Sequence, residues 1–436
     1  MIEWILNFFG KKSSNKQQNK FIAESEFTYV RAENLQLGMY VAKLDRPWLD
    51  SPFKLQGFNI RTQRDLQAVR GICHHVYVDR TRQSKLSVAA KSSAVGSEFI
   101  IGTAPQKLGS FEKEIKRATS NYRATGQLIS DIMQKVKNGG GIDTRVAKDA
   151  VASSVNSILH SPDAHLWLTQ LKKKDEYTAQ HSLNVCMLSI VLGRHIGLGN
   201  QELRNLGLCG MMHDMGKMLI PAKILNKPGE LDAAELEVMK THTTLGAELL
   251  KSSDNMFHGA IETALTHHER IRGQGYPSGL KDSEVSYYSN IVSIVDTYDA
   301  LTSDRPYKKG MTHLDATQIL YQQSGDQFDR LLVTKFIESL GVFPAGCYVQ
   351  LSDDRIALVL EANEQSRLRP RVMTIMDKYM NPIKEMIVNL DKVFVDSKGS
   401  PLRIQNMINP EEFKIDREKH FQEGIITTGF AMAGSQ

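Results

Sequence analysis

Between residues 175 and 340, five helix-periodic stretches each place a histidine, an aspartate or both on an apolar stripe. In EYTAQHSLNVCMLSIVLGRH, His181 shares a stripe with Val185, Leu188 and Leu192; in ELRNLGLCGMMHD, His213 continues Leu203, Leu206 and Gly210, with Asp214 beside it. His242 sits with Val238, Met239, Leu245 and Leu249. His268 follows Ile261, Ala264 and Leu265, with His267 its neighbour, and Asp296 shares a face with Val292, Val295 and Asp299. A period of 3.6 residues interrupted by short breaks specifies an all-α bundle, and the stripes turn these polar side chains inward. One histidine on such a face is ordinarily a core residue bonded to backbone. Five imidazoles and two carboxylates in one interior are a different matter, because a buried carboxylate without a partner is strongly unfavourable. Divalent metal satisfies such a set. Seven nitrogen and oxygen donors exceed the four of a tetrahedral ion, so two metals are implied, with one carboxylate bridging them. Iron, manganese, nickel and zinc all suit mixed imidazole and carboxylate ligation.

The remainder of the chain reads as flanking units, and 436 residues suit two or three domains. Residues 1–20 form an apolar opening, MIEWILNFFG, and a polar tether; residues 1–10 read as a mobile end or a weak interfacial membrane anchor. Residues 21–110 carry short alternating runs such as GMYVAKL and HHVYVD and read as a small β-rich domain. His74 and His75 fall here on opposite faces of a strand and share no site. A polar helical connector is expected over 111–144, the helical core over 145–340, a β-rich appendage over 341–410 and a tail over 411–436. A net charge of +5 with scattered basic residues excludes the footprint of a duplex nucleic acid binder. Cys73, Cys186, Cys209 and Cys347 form no CxxC pair, which fits a reducing, cytoplasmic setting, and no apolar run reaches the roughly 18 residues of a membrane span.

His213-Asp214, preceded by His181 and followed by Asp296, resembles the HD superfamily of metal-dependent phosphohydrolases, and HHERIRGQGYP at 267–277 is similar to the HHExxxGxGYP motif of its HD-GYP branch. DEYTAQHSLNV, HDMGKMLIPAKILNKPGEL, the His242 segment and DTYDALTSDRPYKKG also match in order, covering roughly residues 145 to 340. The resemblance implies hydrolysis of a cyclic dinucleotide, chiefly cyclic di-GMP with 3′3′-cyclic GMP-AMP as the other candidate, to the linear dinucleotide or mononucleotide. It implies that His181, His213, Asp214 and Asp296 hold one metal and that Asp214 joins His242, His267 and His268 around the other. It places Gly275, Tyr276 and Pro277 on the substrate-side wall and Arg305 and Lys308 on the phosphate or guanine. A cyclic dinucleotide receptor without turnover and another HD-type reaction are the competing functions.

Lys217, one turn beyond His213, is placed to offer positive charge to the phosphate or to orient the nucleophile, with Asp214 the other catalytic residue. Adjacent histidines point about 100° apart on a helix, so both reach one ion only near a helix end. Some relatives carry a glutamate four residues before the first histidine as an extra ligand. Here Tyr177 takes that position and Glu176 is one residue off, which favours two metals over three. Arg330 stands where the family often has proline, a change bearing on a helix start rather than on catalysis. The stretch LQLGMYVAKLDRPWLDSPF resembles the uncharacterised amino-terminal domain often fused to this branch, for which a regulatory or homodimerising role is expected.

Overall fold

The structure is a computed structural model that describes residues 27–32, 35–37, 39–44, 58–60, 62–73, 75–79, 111–170, 177–303, 310–363, 366–392, 395–396, 399–410, 412–413 and 415. The opening segment 1–20, His74, Glu176, Arg305, Lys308 and most of the tail expected over 411–436 lie outside these residues. The chain divides into two compact units with a boundary at residues 98 and 99.

The amino-terminal unit pairs β1 (Phe27–Arg31), β2 (Tyr40–Leu44), β3 (Phe58–Asn59) and β4 (His75–Asp79) in an antiparallel sheet of order β1-β4-β2-β3. Alternation brings Val41, Val76 and Val78 to one buried cluster. That cluster is closed by Leu66 and Val69 of α1 (Gln63–Ile72), a helix the β-rich reading did not anticipate. Thr62 and Asp65 start it as a reciprocal capping box, Asp65 N donating to Thr62 Oγ1 at 3.1 Å and Thr62 N to Asp65 Oδ2 at 2.8 Å.

The second unit is a helical bundle. Its first long helix, α2 (Phe111–Lys137), aligns Phe111, Ile115, Ala118, Tyr122, Ile129, Ile132 and Val136 on one stripe that is buried in the main core. The segment expected as a connector is therefore a packed member of the bundle, since a stripe this apolar must be covered by other helices. It ends at the Asn138–Gly141 break, and Asp143 caps α3 (Thr144–His160) by accepting from the Arg145 and Val146 amides. Then follow α4 (Pro162–Thr169), α5 (Tyr177–His195), α6 (Asn200–Met212), a 3-10 turn (Met215–Leu219), α7 (Ala222–Leu225), α8 (Ala233–Lys240), α9 (His242–Lys251), α10 (His258–Thr266), α11 (Tyr287–Thr302), α12 (His313–Gln323) and α13 (Arg330–Leu340). Asp329 caps α13 by accepting from Leu332 N, and Arg330 is its first residue. Cys73, Cys186, Cys209 and Cys347 are all free. Among the described residues no helix is long and apolar enough to cross a membrane.

The carboxy-terminal appendage is an antiparallel sheet of β5 (Tyr348–Leu351), β6 (Ile356–Glu361), β7 (Arg371–Met376), β8 (Pro382–Asn389) and β9 (Ile404–Ile408), in order β8-β7-β6-β5-β9. Its period-2 pattern splits β6 between two cores. Ile356, Leu358 and Leu360 join the bundle's cluster, while Ala357 and Val359 join a second one with Val349, Val372 and Val388. Leu358→Ala should therefore cost about 2–5 kcal/mol of stability through the cavity it leaves between sheet and bundle. Exposed Tyr379→Ala should stay within about 0.5 kcal/mol; denaturant unfolding followed by circular dichroism measures both.

Candidate metal centre

Seven side chains from five parts of the bundle meet in its interior. His181 comes from the first turns of α5, Asp296 from the middle of α11 and His242 from the first residue of α9. His213 is the residue that ends α6, and Asp214 follows it. His267 caps the carboxyl end of α10 and His268 lies just past it, so both rings leave the helix where they can face one point. The stripe expected to carry His242 with Val238 is in fact two helices meeting at Thr241, and Val238 is exposed. Gly216 lets the turn after Asp214 lie directly on α9: a Cβ there would overlap the His242 carbonyl oxygen and the Gly246 backbone.

The donor atoms form two groups, His181 with His213 and Asp296, and Asp214 with His242, His267 and His268, each internally within 4.8 Å. Asp214 faces both. Its Oδ2 lies 3.6 Å from His181 Nε2 and 3.3 Å from His213 Nε2, while Oδ1 lies 3.4 Å from His242 Nε2 and 3.7 Å from His267 Nε2. Asp296 Oδ1 is 3.0 Å from His181 Nε2 and 4.0 Å from His213 Nε2. Ligand atoms about 2.1 Å from one ion, at angles between octahedral and tetrahedral, stand roughly 3.0–3.4 Å apart. Three of the six separations fall within that edge length and the other three, at 3.6, 3.7 and 4.0 Å, lie just beyond it.

The imidazole protons are assigned by the surroundings. His213 Nδ1 is 2.8 Å from Gly210 O, His242 Nδ1 2.8 Å from Met239 O, and His267 Nδ1 3.0 Å from Thr263 O, so each Nδ1 donates and each Nε2 turns a lone pair to the centre. Burial lowers the pKa of His242 to about 4 and of His267 to about 3 and holds His268 well below the usual range, keeping all three neutral at pH 7. Burial by itself would raise Asp214 and Asp296. The Lys217 charge on the first, and His181 on the second, outweigh it and hold both carboxyls well below the carboxylate range. For His181, burial is outweighed by hydrogen bonds with Asp296 and Asp299, which raise its pKa to about 9. Neutral imidazoles and ionised carboxylates are the forms that ligate a cation; His242, His267, His268, Asp214 and Asp296 are already in them, and His181, which carries a proton on each ring nitrogen beside Asp296 and Asp299, would release the one on Nε2 when a cation binds. His213 Nε2 and Asp214 Oδ1 are buried and make no hydrogen bond, which is what ligand atoms look like when counted without their ion. The residues present thus fit divalent metal. Lys217 Nζ donates to Asp214 Oδ2 at 2.5 Å, so this lysine belongs to the centre and not to the outer surface.

A family model described as an HD domain matches residues 166–332, and one described as a domain of unknown function (DUF3391) matches residues 29–147. The cyclic di-GMP phosphodiesterase PA4108 of Pseudomonas aeruginosa is 36% identical over 369 residues, covering 83% of this chain and 89% of that protein. The chain belongs to the HD-GYP family of phosphodiesterases. The 3'3'-cGAMP-specific phosphodiesterase 2 of Vibrio cholerae is 34% identical over 176 residues, 40% of this chain and 34% of that one. Among solved structures, Bd1817 of Bdellovibrio bacteriovorus, described as an HDG"Y"P protein, aligns with a TM-score of 0.45 at 18% identity, covering 72% of this chain and 98% of that one. HD-GYP proteins carry an HD domain that binds divalent metal, and in this member the two donor groups are where the described residues can hold it.

The GYP loop of this HD-GYP protein is fastened by Glu269, whose role the sequence did not disclose. Its carboxylate accepts from the amides of Ser278 at 2.7 Å, Gly279 at 3.1 Å and Leu280 at 3.0 Å. Gly275 is required by close approach, since a Cβ would overlap the backbone of His268, Glu269 and Arg270. Tyr276 then stacks on His268, ring centroids 4.7 Å apart, and meets His242 edge-on at 6.4 Å. Arg270 ties the same loop to α11 by donating to Ser293 Oγ at 2.7 Å. Asp299 was placed on the Asp296 face by sequence, but its partnership with His181 Nδ1 at 2.8 Å appears only in three dimensions. Glu269→Gln should replace one acceptor oxygen by an N–H group facing backbone N–H donors, lowering stability by about 1–3 kcal/mol. Hydrogen exchange at Ser278, Gly279 and Leu280 should accelerate ahead of the core amides; unchanged protection there would contradict this account of the loop.

Proposed function

We propose that the protein hydrolyses a cyclic dinucleotide at a binuclear centre held by His181, His213, Asp214, His242, His267, His268 and Asp296, with cyclic di-GMP the leading substrate and 3′3′-cyclic GMP-AMP the second. The observation that carries this reading is the division of Asp214, one oxygen toward each donor group. The long match to a relative named for cyclic di-GMP supports the substrate order, and the shorter match to one named for 3'3'-cGAMP keeps the second in view.

A pair of divalent ions would supply Lewis acidity toward phosphoryl oxygens and lower the pKa of water, chemistry that phosphodiester cleavage needs because one positioned acid or base contributes only about 10² to 10⁴ in rate. The protein's own groups do the rest. Asp214 spans the two donor groups, and Lys217 keeps a positive charge on its Oδ2 side, where an anionic phosphate is drawn in. Tyr276 is half-buried, and burial pushes its phenol well above the usual range, so it stays neutral and offers an O–H to the substrate. Gly275 and Pro277 hold it against His268. Arg305 and Lys308, supported by the family motif alone, are assigned to phosphate or guanine. The first product is the linear dinucleotide, and the setting is cytoplasmic.

Metal analysis of protein purified without chelator should find two equivalents of a transition metal, and chromatography should show linear product from cyclic di-GMP. Binding without product would indicate a receptor. Asp214→Ala should lose both metals and at least ~10²–10³-fold of turnover; an active variant of normal metal content would sink the bridging role. Arg305→Ala should raise KM by about tenfold, the loss of one charge-assisted hydrogen bond, with metal content unchanged.

A further inference from the structure

One buried chain of hydrogen bonds leads from α2 to the centre. The Tyr122 hydroxyl donates to Asn184 Oδ1 at 2.6 Å, Asn184 Nδ2 donates to Asp299 Oδ1 at 2.9 Å, and Asp299 Oδ2 accepts from His181 Nδ1 at 2.8 Å. Tyr122, Asn184, Asp299 and His181 are 8%, 1%, 1% and 4% exposed. The direction of each link is fixed by chemistry. A carboxylate only accepts, so the Asn184 amide must turn its NH₂ to Asp299 and its carbonyl to the tyrosine, and Asp299 must take the Nδ1 proton of His181. That proton fixes the tautomer and ring angle of His181, leaving Nε2 aimed at Asp214 and Asp296.

The origin of the first link gives the chain its interest. Tyr122 lies within residues 29–147, matched as the domain of unknown function, whereas the other three lie within the HD match, 166–332. A phenylalanine would fill the stripe of α2 equally well, since its neighbours on that stripe are Ala118 and Ile129. What tyrosine adds is a hydroxyl that donates to Asn184 Oδ1 and also bonds the Gln180 side chain.

We propose that Tyr122 and Asn184 are positioning residues for the metal centre, and that α2, supplied by the amino-terminal family region, sets the orientation of His181 through Asn184 and Asp299. The helix α2 then completes the catalytic unit from within the bundle, and a shift of α2 along or about its axis is felt at a metal ligand. The inference rests on the binuclear reading above.

The test uses the full-length protein, wild type and Tyr122→Phe, Asn184→Leu and the double variant, with manganese as probe. Metal stoichiometry, the dissociation constant by chelator competition, unfolding midpoints, kcat and KM are measured for each. Asn184→Leu should weaken one of the two metal equivalents by roughly 10–100-fold and Tyr122→Phe by several-fold. The double variant should do no worse than Asn184→Leu alone, because both residues act through one chain. kcat should fall with KM within about twofold. If the wild type holds two metals but Tyr122→Phe retains its affinity and kcat, or the two effects simply add, the inference is overturned while the binuclear reading stands. A wild type without metal overturns both. Should Asn184→Leu fail to fold, Tyr122→Phe decides alone: affinity within twofold of wild type refutes the role.

Discussion

Charge buried in the bundle's interior governs this molecule. Asp214 is fully buried and Asp296 nearly so, beside a large apolar core cluster that offers them no charge of its own. Leaving two such carboxylates unneutralised would cost several kcal/mol each, comparable to the whole net stability of a domain, about 5–15 kcal/mol. The fold meets this in layers. Lys217 takes one oxygen of Asp214, His181 takes Asp296, and the remaining oxygen of Asp214 is turned toward neutral imidazoles whose Nδ1 protons are engaged elsewhere. Backbone carbonyls at or near helix ends hold three of those protons, which is why the ligands cluster where α6, α8 and α10 stop.

How much of this was legible in the sequence follows from which interactions are local. Helical stripes repeat every three or four residues, so the inward direction of His181, His213 and Asp296 could be read directly, and the adjacent pair at 267 and 268 signalled a helix end. The carboxy-terminal sheet was legible for the same reason, through its alternation. Short helices in unfavourable company were not: α1 owes its existence to the capping box at Thr62 and to Leu66 and Val69 closing a sheet. Partners far apart in sequence were also hidden. Nothing in local spacing says that Asp299 will meet His181, 118 positions away, or that Glu269 will accept three amides from the loop ahead of it.

The long helix over 111–137 shows a subtler failure of local reading. Its polar composition suggests a helical connector leading into the bundle, yet a helix needs only one apolar stripe to be a core element. Phe111, Ile115, Ala118, Tyr122 and Ile129 supply it. The opposite face keeps its charges in water at no cost to packing. Composition averages the two faces; periodicity separates them. The amino-terminal family match, residues 29–147, spans this helix even though the helix packs within the bundle.

Exposure within the centre also has a direction. His213 and His267 side chains are 0% exposed and Asp214 1%, whereas Asp296 reaches 12% and Lys217 16%. His268 and Tyr276 are half-buried on the same gradient. The deep rings of His213 and His267 are held by their Nδ1 bonds to backbone carbonyls, and the shallow residues border the side from which a phosphodiester would arrive under the proposed reading. α11 carries Asp296 and ends at Thr302, so the chain leaving it bears Arg305 and Lys308 only a few residues later. Under the proposed reading, buried donors at the floor would hold the ions and the polar groups at the rim would select what reaches them.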